Sequence, residues 1–542
     1  MPAPKVVIIG LDGATFDLLD QLIAQGVMPN LSRLLARGAR GRLSSTIPPT
    51  TAPAWTTFST GMNPGRHGVF DFRQRTRGQL RWVDSHSVRA PQVWDYAASA
   101  GCTTGVINLP LTYPPLPLSG YMIAGFMTPS GSQRYTYPPD LAQRLEAAIG
   151  PYIIYEPIPP RGLNTLGEVQ FYLGRLRYMV SQRAKALYWL LSNHPTDLII
   201  AVFQVTDTLQ HLFWKLLDLR DPMADSKFAC QVRPLLWECY RQVDDILGEI
   251  LGLMAGGGYL VVVSDHGFGP LNHRFYVNEW LAQQGLLVYS RPRVVAEKVM
   301  RRVRNALRLG IANAPLFNQT ARFVPDHKKA IRWARTRAFS GEVHQQAIYI
   351  NVQGREPAGV VQPGMEYEAV RDQVIDCAQT LLDPVTGQEI PCRVYRREEI
   401  YAGPFVEEAP DLAIVLDDYN YQVTTGFPLG GRYLAANLSP RGSHRRDGIF
   451  VIDGPGVCPG KVVTSASIAD VTPTVLYLMG LAVPEGLDGQ VLLEALEPQW
   501  LETHPLCIAP SPLRDIVSEE SVYTESETAD ITARLQGLGY LD

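Results

Sequence analysis

The chain has 542 residues, with 49 Lys+Arg against 53 Asp+Glu and a formal net charge of −4. A hydrophobic fraction of 46% and a charged fraction of 19% exclude an intrinsically disordered chain, which lacks apolar residues and carries high net charge. The balanced charge also argues against a nucleic-acid binder, which needs a clearly basic domain. The 46 Gly and 42 Pro exceed the usual joint share of about 12%, which implies tight turns and long structured loops.

In chain order, Val6–Ile9 reads as a first strand, apolar on both faces and hence buried. Thr15–Ala36 and Pro91–Ala100 have helical periodicity, and Thr104–Ile107 is again a short apolar strand. Pro110–Pro160, rich in Pro, Tyr and Gly, reads as a long ordered loop. A helix over Thr165–Ser192, a strand at Leu198–Phe203, a helix over Val232–Met254 and a strand at Tyr259–Ser264 follow. The later apolar runs Leu412–Leu416 and Gly448–Ile452 read as further strands. Such alternation predicts an α/β fold with a mostly parallel sheet sandwiched by helices.

The stretch between about Asn278 and Pro404 breaks the pattern. It opens with a basic helix, residues 291–308, carrying Arg291, Arg293, Lys298, Arg301, Arg302, Arg304 and Arg308, and continues into its own strands and a helix over Tyr367–Leu382. It reads as an inserted lobe. The expected division is a core of residues 1–277 and 405–500, a lobe of 278–404 and a C-terminal extension of 501–542. The basic helix reads first as a solvated face, and otherwise as an attractor of an anionic substrate or a peripheral membrane surface. No window approaches the roughly 18–20 uncharged apolar residues of a transmembrane helix, and the apolar run at Val6 is too short for a signal-peptide core. Seven scattered cysteines without a CxxC pair point to a reducing compartment and a cytoplasmic protein.

In open α/β sheets function collects at the carboxyl ends of strands. Asp12 follows the first strand in IIGLDG; Asp207 and His211 follow Leu198–Phe203 in VTDTLQH; Asp265 and His266 follow Tyr259–Ser264 in SDHGFG; His444 lies in SPRGSHRRDG. Asp207 and His211, four apart, share a face of a starting helix and can grip one cation. Asp265 and His266 are adjacent at a strand end, so they can serve two metals, or one metal and its surroundings. Three Asp and three His suffice for two sites of about three protein ligands each, with positions open for substrate. Each piece alone has a plainer reading: a solvated pair, a turn, a surface histidine. Their conjunction favours a two-metal site, whose usual chemistry is in-line displacement at phosphorus. Thr51, after Pro48-Pro49 at an apparent helix N-terminus, is the candidate nucleophile, since free backbone N–H groups there favour an alkoxide. The plainer reading is that Thr50 or Thr51 only caps that helix.

These residues, in this order, resemble the alkaline phosphatase superfamily, specifically its type I phosphodiesterase/nucleotide pyrophosphatase branch. The strings that carry the resemblance are IIGLDG, TTAPAWTTFSTGMNPGRHG, VTDTLQH, VVVSDHGFGP, GSHRRDGIF and ADVTPTVLYLMGLAVPEGLDGQVL. IYINVQGREPAGVV and LQGLGYLD are similar to a bacterial and archaeal subgroup described as predicted phosphohydrolases or phosphomutases. The resemblance implies one metal held by Asp207, His211 and His444, and a second held by Asp12, Asp265 and His266 with Thr51 bound to it. It implies two divalent ions, commonly zinc, with manganese in the mutase branch, and a phosphorylated or phosphodiester Thr51 intermediate. The sulfatase branch needs a convertible Cys or Ser in a CxPxR-type string, and Thr51-Ala-Pro-Ala-Trp55 has neither that residue nor the Arg. Where nucleotide pyrophosphatases carry an Asn that hydrogen-bonds a phosphoryl oxygen, this chain has Phe72, preceded by Asp71; His67 and Arg66 are the candidate replacement donors.

The expected function is therefore hydrolysis of a small-molecule phosphate mono- or diester through Thr51. The inserted lobe, with its basic helix and the cluster from His327 to Arg332, would cover the site and select the substrate. A phosphomutase or phosphotransferase would use the same residues with an acceptor hydroxyl in place of water. A non-catalytic binding protein on this fold is the alternative of a different class, supported only by Phe72.

Overall fold

A computed structural model describes residues 4–76, 79–160, 162–254, 256–296, 327–341, 344–511 and 522–538. A nine-stranded sheet forms its centre. Across the sheet the strands run Val462–Ser467, Ala39–Ser44, Asp447–Asp453, Tyr259–Val263, Val6–Leu11, Leu198–Phe203, Thr104–Ile107, Gly120–Ile123 and Thr136–Tyr137. The five from Tyr259–Val263 to Gly120–Ile123 are parallel; Asp447–Asp453 runs antiparallel to both its neighbours. Successive residues of Val6–Leu11 face opposite sides of the sheet, so Val7, Ile9 and Leu11 join one apolar cluster and Val6 and Ile8 another. The sheet is thus covered on both faces, as an α/β sandwich requires.

Four expectations need correction. The helix expected over Thr15–Ala36 is two, Phe16–Ala24 and Pro29–Arg37. Gly26, with φ of +68°, turns the chain between them, and Pro29 suits the first position of the second. The segment Pro110–Pro160 is not one loop: it holds the strands Gly120–Ile123 and Thr136–Tyr137 and the helix Leu141–Ile149, short elements that the prolines between them obscure. Leu412–Leu416 is a buried strand, but of another sheet. It pairs with Cys392–Arg396 and Ala347–Ile350, because an all-apolar run marks a strand covered on both faces without saying in which sheet.

The fourth concerns residue 404, expected as the end of the lobe. The lobe's own apolar cluster runs from Phe275 to Leu434, and His273–Tyr276 pairs with Tyr421–Thr424 and Leu434–Ala436. Pairing therefore continues past 404. Of the basic helix, Arg291 and Arg293 are described, whereas Lys298, Arg301, Arg302, Arg304 and Arg308 lie outside the described residues. No helix among the described residues is long and apolar enough to cross a membrane.

One packing detail reaches the site directly. A Cβ on Gly10 would lie 2.6 Å from the Trp55 ring and 2.9 Å from Val202, so the indole lies against bare strand backbone. Gly10→Ala is expected to lower stability by about 1–3 kcal/mol through overpacking, read as a lower urea midpoint at unchanged m-value.

Candidate active site

The parallel strands end on one edge, where their last residues meet. Asp12 follows Val6–Leu11, its amide held by the Phe203 carbonyl at 3.1 Å. Gly13 takes φ of +67°, which turns the chain and lets its amide donate to Asp265 Oδ1 at 3.1 Å. Leu198–Phe203 runs into the helix Val205–Leu217, whose first turn carries Asp207, with His211 one turn on. Asp207 Oδ1 lies 3.4 Å from His211 Nε2 and 3.4 Å from His444 Nε2. His444 arrives on the strand Gly442–Arg445, paired antiparallel with Gly267–Pro270 so that it faces Phe268 in register.

Thr51 opens the helix Thr51–Thr60 and is fully buried. Thr50 is that helix's N-cap residue, but no side-chain cap hydrogen bond forms, so the capping reading finds no support. Thr51 Oγ1 instead lies 3.3 Å from His266 Nε2. The same Nε2 is 3.2 Å from Asp265 Oδ2 and 3.7 Å from Asp12 Oδ1. All seven residues singled out in the sequence therefore come together.

The electrostatics are unusual for a dry site. Burial, then the charges of Asp265 and Asp207, hold Asp12 well above the usual carboxylate range. Burial likewise pushes Asp265 up to about 7. For Asp207 burial also acts upward, but His211 and His444 outweigh it and hold the group below the usual range. Burial lowers His211 to about 4 and His266 well below its ordinary value, so both are neutral at pH 7. His266 Nδ1 lies 3.1 Å from the Gly267 carbonyl and His444 Nδ1 lies 2.9 Å from the Pro49 carbonyl. A carbonyl only accepts, so each Nδ1 carries the proton, and on the neutral His266 ring the Nε2 lone pair faces the cluster.

This donor set fits divalent cations. Asp207, His211 and His444 form one group, and Asp12, Asp207 and His266 form another, with ligand atoms within 4.8 Å of one another in each. Asp207 is common to both, and Asp265 lies beside the second. Asp12 Oδ1 and Asp265 Oδ2 are buried without a hydrogen-bonded partner, a costly state that a cation would relieve.

Two residues here escaped the sequence reading. Trp55 Nε1 donates to Asp12 Oδ2 at 3.1 Å; its spacing of four from Thr51, on one helix face, was the available signal. Thr206 Oγ1 donates to the Asp12 carbonyl at 2.6 Å, a contact between separate strand ends that no local spacing shows. The candidate donors in place of the Asn at Phe72 are both otherwise engaged. His67 is fully buried, 3.0 Å from Thr57 Oγ1, and accepts from the Val69 amide at 3.2 Å. Arg66 is held by the Gly486 carbonyl and by Asp488. Phe72 itself packs edge-on against Phe126.

The model of the type I phosphodiesterase/nucleotide pyrophosphatase family matches residues 6–437. The chain belongs to that family. It is accordingly an enzyme of the phosphoester-hydrolase class. Among solved structures, phosphonoacetate hydrolase from Sinorhizobium meliloti 1021, in complex with phosphonoformate, is 16% identical with a TM-score of 0.50, over 88% of this chain and 96% of that one. Human ectonucleotide pyrophosphatase/phosphodiesterase 5 is 14% identical with a TM-score of 0.49, over 91% of this chain and 99% of that one. The first likeness shows the fold, an alkaline-phosphatase-like core. No curated protein matches the sequence.

Asp71 yields a pH test. Burial pushes its carboxyl up to about 7, against smaller opposing effects of the Phe72 amide, Arg73 and His444. A raised native pKa contributes stability that is complete below the unfolded value near 4 and is lost as pH rises through about 7. Asp71→Asn is therefore expected to gain about 3 kcal/mol relative to wild type between pH 5 and pH 8, read from urea midpoints at the two pH values.

Proposed function

We propose that the protein hydrolyses phosphate mono- or diesters of small molecules, with Thr51 as the nucleophile and a phosphorylated threonine as the intermediate. One cation would be held by Asp207, His211 and His444, and a second by Asp12, Asp265 and His266, with Asp207 within reach of both. Zinc fits the mixed imidazole–carboxylate set, with manganese as the alternative. The observation that carries the reading is the placement of Thr51 Oγ1, fully buried at a helix N-terminus and 3.3 Å from His266 Nε2.

The bound cations would supply the positive charge that stabilises a threonine alkoxide and the charge developing on the phosphoryl oxygens. The chain's own groups do the rest. The helix N-terminus aims free backbone N–H groups at the reacting centre. Trp55 fixes the Asp12 carboxylate, and the Gly267 and Pro49 carbonyls fix the His266 and His444 rings. Thr51 Oγ forms a bond to phosphorus as the ester bond to the leaving alcohol breaks. Water then cleaves the threonine–phosphorus bond, returning the hydroxyl and releasing the phosphoryl product.

The lobe is proposed to cover this site and select the substrate. It is docked beside the nucleophile: the Tyr401 hydroxyl donates to the Ile47 carbonyl at 2.6 Å, and the Phe405 amide donates to the Gly65 carbonyl at 2.9 Å. Seven free cysteines accord with a cytoplasmic setting.

Thr51→Ala should lose at least about 10³-fold in kcat on an aryl phosphate or aryl phosphodiester, with metal content unchanged by elemental analysis. Wild-type kcat in that variant would remove the nucleophile assignment. The shared position of Asp207 makes a second expectation: Asp207→Asn loses metal from both groups, whereas His211→Ala loses only one equivalent, counted on dialysed protein by the same measurement.

A further inference from the structure

Beside His211 the chain gathers positive charge that it does not neutralise. Lys215 lies one turn after His211 on the helix Val205–Leu217 and is only 6% exposed. Among the described residues its ammonium group hydrogen-bonds only the Asn437 carbonyl, at 3.4 Å. Arg274 reaches only Gln422 Oε1, at 3.4 Å. Arg441 is solvent-accessible, yet partial burial and then the Arg274 charge hold it below the usual arginine range. Among the described residues, none of these three cations has a carboxylate within salt-bridge distance. Buried or crowded charges are ordinarily paired.

The segment between them is short of acceptors too. Residues 437–441 are laced on one side to the helix, through the Lys215 amide and the Pro440 carbonyl at 3.0 Å. On the other side the Leu271 amide donates to the Arg441 carbonyl at 3.2 Å and the Asn437 amide to the Asn272 carbonyl at 2.7 Å. Within this segment Asn437 Nδ2 and Ser439 Oγ are buried without a hydrogen-bond partner. Three cations without a carboxylate partner among the described residues and two unsatisfied donors thus lie on or against residues 437–441, with Arg274 close enough to Arg441 for its charge to be felt there. An anion with several acceptor oxygens would satisfy them together. The place adjoins the candidate active site, since Arg441 is close enough for its charge to act on His211 and its chain leads in three residues to His444.

We infer that Lys215, Arg274, Asn437, Ser439 and Arg441 form an anion subsite that binds a second phosphate group of the substrate, separate from the phosphorus that reacts. The inference rests on the phosphoester-hydrolase reading of the neighbouring site and narrows it to substrates that carry two anionic groups. The charge pattern chooses the ligand class: among the described residues no carboxylate pairs with these cations, and the guanidinium groups offer paired donors to phosphate oxygens.

The test compares two 4-nitrophenyl diesters on the metal-loaded full chain, 4-nitrophenyl 2-hydroxyethyl phosphate and its counterpart with that hydroxyl phosphorylated. Wild type should prefer the phosphorylated diester in kcat/KM. Arg441→Ala and Arg274→Ala should each reduce that preference about tenfold, the worth of a charge-assisted hydrogen bond, with Ser439→Ala acting in the same direction. Equal losses on both diesters, or an unchanged preference, would overturn the subsite and leave the hydrolase reading standing. If wild type turns over neither these diesters nor 4-nitrophenyl phosphate, the hydrolase reading fails; if it turns over neither diester, calorimetric titration of the chain with sulfate decides the subsite alone. One equivalent bound by wild type and weakened about tenfold in Arg441→Ala supports it, and equal binding overturns it.

Discussion

Three aspartates buried around one point constrain everything else in the catalytic region. Asp12, Asp207 and Asp265 are 0–1% exposed, and ligand atoms of Asp12 and Asp207 lie within 4.8 Å of each other. At such a separation two ionised carboxylates repel by about 3 kcal/mol at an effective dielectric of about 20, before any cost of burial. Such a group across three strand ends suits cations, because only cations reverse the sign of the local field.

The surrounding backbone is shaped to that purpose. Gly10 leaves room for the Trp55 ring that donates to Asp12, and Gly13 takes a left-handed turn where a Cβ would meet Phe268 at 3.0 Å and Asp207 Oδ1 at 3.2 Å. The excess of glycine and proline in the composition has specific places here: Pro48-Pro49 beside Thr51, Gly61 and Gly68 at the ends of the helices after it, and Gly267 pressed against the Asp447 carbonyl. The lobe then adds its docking contacts at Ile47 and Gly65, on both sides of Thr51 in sequence. The cationic segment around Arg441 continues directly into His444, so the proposed anion subsite and a proposed metal ligand share one stretch of chain.

Much of this was legible in the sequence for a physical reason: parallel strands buried on both faces are continuous apolar runs, and the residue that follows each is where side chains can converge. Asp12, Asp207, His211, Asp265 and His266 were singled out by that logic, Thr51 by its helix N-terminus, and His444 only as a further histidine in the string SPRGSHRRDG. The outer strands were harder. Ala39–Ser44 alternates buried and exposed positions, with Arg42 outward, and Val462–Ser467 is mostly solvent-facing, so neither presents an apolar run. Leu412–Leu416 read correctly as a strand and wrongly as part of the core, since local pattern carries no information about which partner covers it. Trp55 and Thr206 act through contacts between segments far apart in sequence, and Arg441, Lys215 and Asn437 become a group only when residues 437–441 are laid between helix and lobe.

The central claim is that the buried carboxylate–imidazole cluster is a two-cation site. Anomalous diffraction from crystals of the purified chain, collected across the zinc and manganese edges, addresses it directly. The account expects two peaks, one bounded by Asp207, His211 and His444 and the other beside Asp12, Asp265 and His266 within reach of Thr51 Oγ1. A single peak, or a cluster without any metal in protein purified and grown with both ions present, would contradict it.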